Sequence, residues 1–107
     1  MKTRYIPEAP QRAEIDATQG AVLLEFGANW CGHCMAAQAP LAAAFAGHEN
    51  VAHYKVEDGA GRPLGRSFRV KLWPTLIFLR DGLEVARLVR PLKADDISAG
   101  LAQIDPH

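Results

Sequence analysis

The stretch Ala21-Val22-Leu23-Leu24-Glu25-Phe26-Gly27-Ala28-Asn29-Trp30-Cys31-Gly32-His33-Cys34 decides how this chain folds. Ala21–Phe26 is a compact run with an apolar core, flanked by Gly20 and Gly27, and reads as a strand buried on both faces. From Cys31 to Ala46 the composition turns helical, with seven alanines, leucine, methionine and phenylalanine ahead of a stop at Gly47. Pro40 sits inside this helix and is expected to kink it, because proline removes a backbone donor and clashes with the preceding turn. The cysteines, Cys31 and Cys34, therefore stand where a buried strand hands over to a helix.

Outward from this junction, strands and helices alternate. Arg4–Ile6 reads as a short strand, and Pro10 opens a helix through Ala17. Val51–Val56 is a second strand candidate, followed by a loop containing Gly59, Gly61 and Pro63 and a short helix near Leu64–Phe68. Thr75–Leu79 is an apolar strand, Asp81-Gly82 a strong hairpin signal, and Glu84–Val89 the returning strand. Ile97, Leu101 and Ile104 form one apolar stripe of a closing helix. The predicted order is β-α-β-α-β-α-β-β-α, an α/β class with a central, partly parallel sheet and helices on both faces.

The chain has 107 residues, enough for one domain over 1–107. With 12 basic and 12 acidic residues the formal charge is zero, which argues against a nucleic-acid binder that neutralises phosphates. No run approaches 18 apolar residues, so no transmembrane helix is expected. The first residues, Met1 to Glu8, lack an apolar secretory core, and the expectation is a cytoplasmic protein. Two cysteines are too few for a disulfide framework and need another explanation.

Their placement supplies one. Free amides and the macrodipole at a helix head favour negative charge, so a thiolate at Cys31 is expected to gain from both. Two intervening residues let the sulfurs meet once Cys34 folds back through the first turn. Cys31 is then the attacking sulfur, and Cys34, more buried, the resolving one. Gly32 keeps the turn uncrowded so that another chain can approach.

Trp30-Cys31-Gly32-His33-Cys34 together with Trp73-Pro74-Thr75 resembles the thioredoxin family, from about Ile6 to Ile104. The resemblance implies the thioredoxin fold, a central mixed sheet flanked by helices on both faces, and thiol–disulfide exchange on protein or peptide disulfides. It implies no cofactor and no metal, and turnover by a reductase or by low-molecular-weight thiols. His33 stands where thioredoxin has proline and disulfide isomerases have histidine. An imidazole that stabilises the thiolate makes the disulfide a stronger oxidant, and potentials of the two types differ by roughly 90 mV, about 4 kcal/mol. The plainer alternative is an exposed helix residue.

Glu25 lies where the family keeps a buried acid. Burial of a lone carboxylate in a strand is expected to raise its pKa. The implied role is proton acceptor for Cys34, directly or through one water. On this expectation, replacing Glu25 with alanine stabilises the fold while slowing resolution. The other reading is a strand-end residue reaching solvent. The family's lysine near this acid has no clear match, since Tyr54 and Lys55 differ in facing by one residue. Pro74 is implied to be cis and to face the cysteines, leaving the residue-73 backbone free to pair with an extended substrate. The alternative is an ordinary strand-start proline. Trp73 and Trp30 are groove residues in this reading, Trp30 as wall, lid or both. Arg90 falls where the family has a groove-lining glycine, and either favours an acidic substrate or points to solvent.

Weaker signals remain. Gly59-Ala60-Gly61-Arg62 lacks the remainder of any phosphate-binding motif and reads as a connection. Arg62, Arg66 and Arg69 read as a solvated basic face, with an acidic partner as the alternative. Cys31-x2-Cys34-x13-His48-x4-His53 satisfies a zinc-finger spacing, but in an order inverted relative to a finger. No role is assigned to His48 or His107. The overall expectation is a monomeric protein-disulfide oxidoreductase, with a redox-gated interaction module, a disulfide oxidase or isomerase, and a zinc structural module as alternatives.

Overall fold

The computed structural model describes residues 1–105, so His107 lies outside the described residues. The elements are α1 (Arg12–Ala17), β1 (Ala21–Gly27), α2 (Gly32–Ala36), α3 (Gln38–Phe45), β2 (Ala52–Glu57), α4 (Pro63–Ser67), β3 (Thr75–Arg80), β4 (Leu83–Val89) and α5 (Ala94–Ile104). The strands form one sheet in the order β2-β1-β3-β4. β1 runs parallel to β2 and antiparallel to β3, and β4 closes the edge as an antiparallel hairpin with β3. The hairpin turn has Asp81 at φ 52° and Gly82 at φ 81°, the two left-handed residues of a type I′ turn.

The sheet divides two cores by the alternation of β1. Leu23 packs with Leu41, Phe45, Phe78, Ile97 and Leu101 beneath α3 and α5. Val22, Leu24 and Phe26 pack with Ile15, Leu64 and Phe68 beneath α1 and α4. A strand covered on both faces must be apolar almost throughout, which is why Ala21–Phe26 lacks the alternation of a half-exposed strand. Glu25 is the exception, and it shares the Leu23 face.

Two expectations need correction. The first strand shrinks to one parallel bridge, Ile6 with Val56. Tyr5 N–H bonds the Asn29 side chain instead of a strand, and Pro7 brings no donor. The long helix after Cys31 is two helices that meet at Ala37. Pro40 has no N–H for the Ala36 carbonyl, so the break falls one turn ahead of it, as the in-helix proline requires.

Candidate active site

Cys31 caps α2, and its Sγ accepts the Cys34 N–H at 3.2 Å. Both cysteines are free thiols. Cys31 keeps 8% of its surface while Cys34 keeps none, the order of access expected of an attacking and a resolving sulfur. Burial and the neighbouring Cys31 thiol push the Cys34 thiol up to about 11, against the pull of the Ala28 backbone and the Tyr5 hydroxyl. Gly32 and His33 are exposed. The Trp73–Pro74 peptide is cis, Pro74 and Thr75 are buried, and Thr75 Oγ1 closes the turn onto the Leu72 carbonyl at 2.6 Å.

The walls of the site are aromatic. Trp30 is 77% exposed and stands edge-on to Trp73, with ring centroids 5.6 Å apart. Trp73 is half-buried, its Nε1–H donating to Asp58 Oδ2 at 2.9 Å, and its ring edge stands 4.0 Å from where a Gly59 Cβ would lie. Arg90 does not simply point to solvent. Its backbone is left-handed at φ 53°, and its Nε–H donates to the Trp73 carbonyl at 2.8 Å. One of the two lone pairs of the Trp73 carbonyl, part of the residue-73 backbone expected to be free for a substrate strand, is therefore taken. Arg62, Arg66 and Arg69 line one depression with Lys71, Asp58 and Trp73, and Arg62 is tied to Glu57.

Beneath the cysteines lies a buried polar cluster. Lys55 Nζ donates to Glu25 Oε2 at 2.7 Å and to Gln38 Oε1 at 2.7 Å. His53 Nδ1 accepts the Lys2 N–H at 3.0 Å, so the ring hydrogen sits on Nε2 and points to Glu25 Oε1, 3.0 Å away. Gln38 Nε2 donates to Glu25 Oε2 at 3.2 Å and to the Cys34 carbonyl at 2.8 Å. Tyr5 O–H donates to Glu25 Oε2.

These contacts overturn the expected titration of Glu25. Burial alone works against its charge, but the His53 hydrogen bond, the Lys55 charge and hydrogen bond, and the Tyr5 hydroxyl outweigh it and hold the carboxyl down to about 2. Sequence reasoning saw a lone acid; the fold supplies four partners. Glu25 and Lys55 are directly opposed in the β1–β2 register, which selects Lys55 over Tyr54. Tyr5, Gln38 and His53 were missed. Gln38 left a trace, as the one polar side chain in the alanine-rich run 36–46. The two histidines of the zinc-like spacing are engaged elsewhere, His53 with Glu25 and His48 with Asp105 at 2.7 Å. Among the described residues no three metal-ligating side chains gather.

A dithiol at the head of a helix, with Trp73 of a cis-proline turn packed against it on a mixed four-stranded sheet, defines a thioredoxin-fold redox centre. The comparisons agree. The family model described as Thioredoxin matches residues 5–103. The thioredoxin of Chlamydia trachomatis is 41% identical over 71 residues, 65% of this chain and 69% of that protein. Protein disulfide-isomerase A2 of Pongo abelii is 42% identical over 66 residues, which is 58% of this chain and 13% of that protein. Thioredoxin H2-1 of rice is 36% identical over 73 residues, and the match spans 52% of its length. Thioredoxin 2 from Pseudomonas aeruginosa PAO1, solved in its reduced form, superposes with a TM-score of 0.83 at 56% identity, covering 96% of this chain and 99% of that one. The chain belongs to the thioredoxin family.

Proposed function

We propose that this protein catalyses dithiol–disulfide exchange on protein or peptide disulfides. The observation that carries the reading is the unequal access of two free cysteines three residues apart, Cys31 keeping 8% of its surface and Cys34 none. Cys31 attacks a substrate disulfide and forms a mixed disulfide. Cys34 then attacks Cys31, frees the reduced substrate and leaves the pair oxidised, its proton drawn toward Glu25. Trp30, Trp73, Pro74 and Thr75 supply the groove in which the substrate segment lies.

A recycling reductase or a low-molecular-weight thiol returns the pair to the dithiol. A reducing compartment such as the cytoplasm suits this cycle, and there the net direction is reduction. Among the described residues no helix is long and apolar enough to cross a membrane. The functional unit in this reading is the single domain 1–107, acting as a monomer.

One trapping experiment tests the reading. Cys34→Ser is expected to hold substrates as mixed disulfides on Cys31, and Cys31→Ser is expected to hold none. Equal trapping by both variants, or by neither, defeats the assignment. Many partners on Cys34→Ser mean a general exchange catalyst, and a single partner means a redox-gated module.

A further inference from the structure

Tyr5 belongs to a segment that contributes no strand, yet it is held from every side. Asn29, two residues before Cys31, clamps its backbone. Tyr5 N–H donates to Asn29 Oδ1 at 2.9 Å, and Asn29 Nδ2 donates to the Tyr5 carbonyl at 3.0 Å. The Lys55 ammonium lies 4.2 Å from the ring centroid. The ring packs with Cys31, Cys34 and Ala28, and the residue is 5% exposed. Its hydroxyl donates to Glu25 Oε2 and is within hydrogen-bonding reach of the Cys34 thiol. Gly27 makes this meeting possible. A Cβ there would stand 2.6 Å from Cys34 Sγ and 2.8 Å from the Tyr5 hydroxyl oxygen.

We propose that Tyr5 is the proton relay of the resolving step, its hydroxyl oxygen taking the Cys34 proton while its own proton passes to Glu25 Oε2. The proposal rests on the exchange reaction above and replaces the water or direct contact between Cys34 and Glu25. The step balances. The Cys34–Cys31 sulfur bond forms, and the bond from Cys31 to the substrate sulfur breaks. The electron pair leaves on the substrate thiolate. One proton leaves Cys34, one enters Glu25, and Tyr5 ends as it began. The pair is oxidised by two electrons and the substrate sulfur is reduced. Glu25 later returns the proton through the same hydroxyl.

The timing follows from the electrostatics. In the resting dithiol the proton belongs on Cys34, because Glu25 is held ionised by Lys55 and His53. It becomes mobile only as Cys34 gives up electron density to the new sulfur–sulfur bond. Transfer and attack are therefore concerted, and the two protons move together.

Tyr5→Phe keeps the ring and removes the hydroxyl. Rapid mixing with a peptide disulfide, acid quench and mass spectrometry follow the mixed disulfide on Cys31. In Tyr5→Phe its resolution is expected to slow about tenfold or more relative to its formation, within the range of general acid–base effects. Tyr5→Phe combined with Glu25→Gln is expected to be no slower than the slower single variant, since both cut one path. On the unaltered protein, the resolution rate across mixtures of light and heavy water is expected to curve, as two protons in flight require. Unchanged resolution in Tyr5→Phe, multiplicative effects in the double variant, or a straight solvent-isotope plot on the unaltered protein each overturn the relay. If Glu25→Gln alone is slow, the exchange reading survives that failure. If the unaltered protein forms no mixed disulfide, the reading itself falls and the relay with it.

Discussion

Lys55 Nζ lies 2.7 Å from Glu25 Oε2, between side chains that are respectively 2% and 0% exposed and directly opposed on β2 and β1. The two charges are each other's solvent. An ion pair this deep contributes little net stability, but losing one partner leaves the other buried and uncompensated.

The expected cost of removing one partner follows. Glu25→Ala is expected to destabilise the fold by about 3–5 kcal/mol, the reverse of the stabilisation expected for a lone buried acid. Lys55→Met is expected to cost a similar amount. The double variant Glu25→Gln/Lys55→Met is expected to recover much of the loss. Urea unfolding of the three proteins checks this, and a Glu25→Ala protein more stable than the parent contradicts it.

Acid stability follows from the same pair. Glu25 is held at about 2 when folded, below the ordinary glutamate value of 4.5. A carboxylate lowered by folding adds stability above its unfolded value and loses it as pH falls through its folded one. About 3 kcal/mol is expected to disappear between roughly pH 5 and pH 2. In Glu25→Gln that fraction of the acid sensitivity is expected to be missing, which denaturant midpoints across this window measure.

Gly27 tests the packing behind Cys34. In Gly27→Ala the new methyl would meet Cys34 Sγ at 2.6 Å and the Tyr5 ring carbon Cζ at 2.7 Å. Overpacking of this kind costs about 1–3 kcal/mol. Thermal unfolding is expected to show that loss, and resolution of the mixed disulfide is expected to slow because the Tyr5 hydroxyl is displaced.

Arg90 tests the groove. Its left-handed backbone suits glycine, so Arg90→Gly is expected to fold with equal or higher stability. The guanidinium spends one donor on the Trp73 carbonyl and has its other N–H groups unpaired among the described residues. Peptide disulfides with glutamate flanking the cysteine are expected to react about three- to fivefold faster than matched glutamine peptides, a typical exposed charge effect. Arg90→Gly is expected to bring that ratio near one. If the ratio persists until Arg66 and Arg69 are replaced by glutamine, the preference belongs to their depression and not to Arg90.

Much of this protein was legible as a string. The apolar run Ala21–Phe26, the Asp81-Gly82 turn and the stripe Ile97, Leu101, Ile104 are local signals, and each element formed within a residue or three of its expected bounds. Cys31 and Cys34 announced themselves by spacing and by the strand-to-helix junction they occupy. What the string left open was partnership across the sheet. Whether Tyr54 or Lys55 faces Glu25 turns on one residue of register, and register is fixed by packing of both faces, not by local sequence. Tyr5, Gln38 and His53 come from three separate segments of the chain, and nothing local in any of them says that their polar atoms converge on one carboxylate. Convergence sets the charge of Glu25, because the field at a buried group is the sum over neighbours brought together by folding. Only the tertiary structure could reverse its titration.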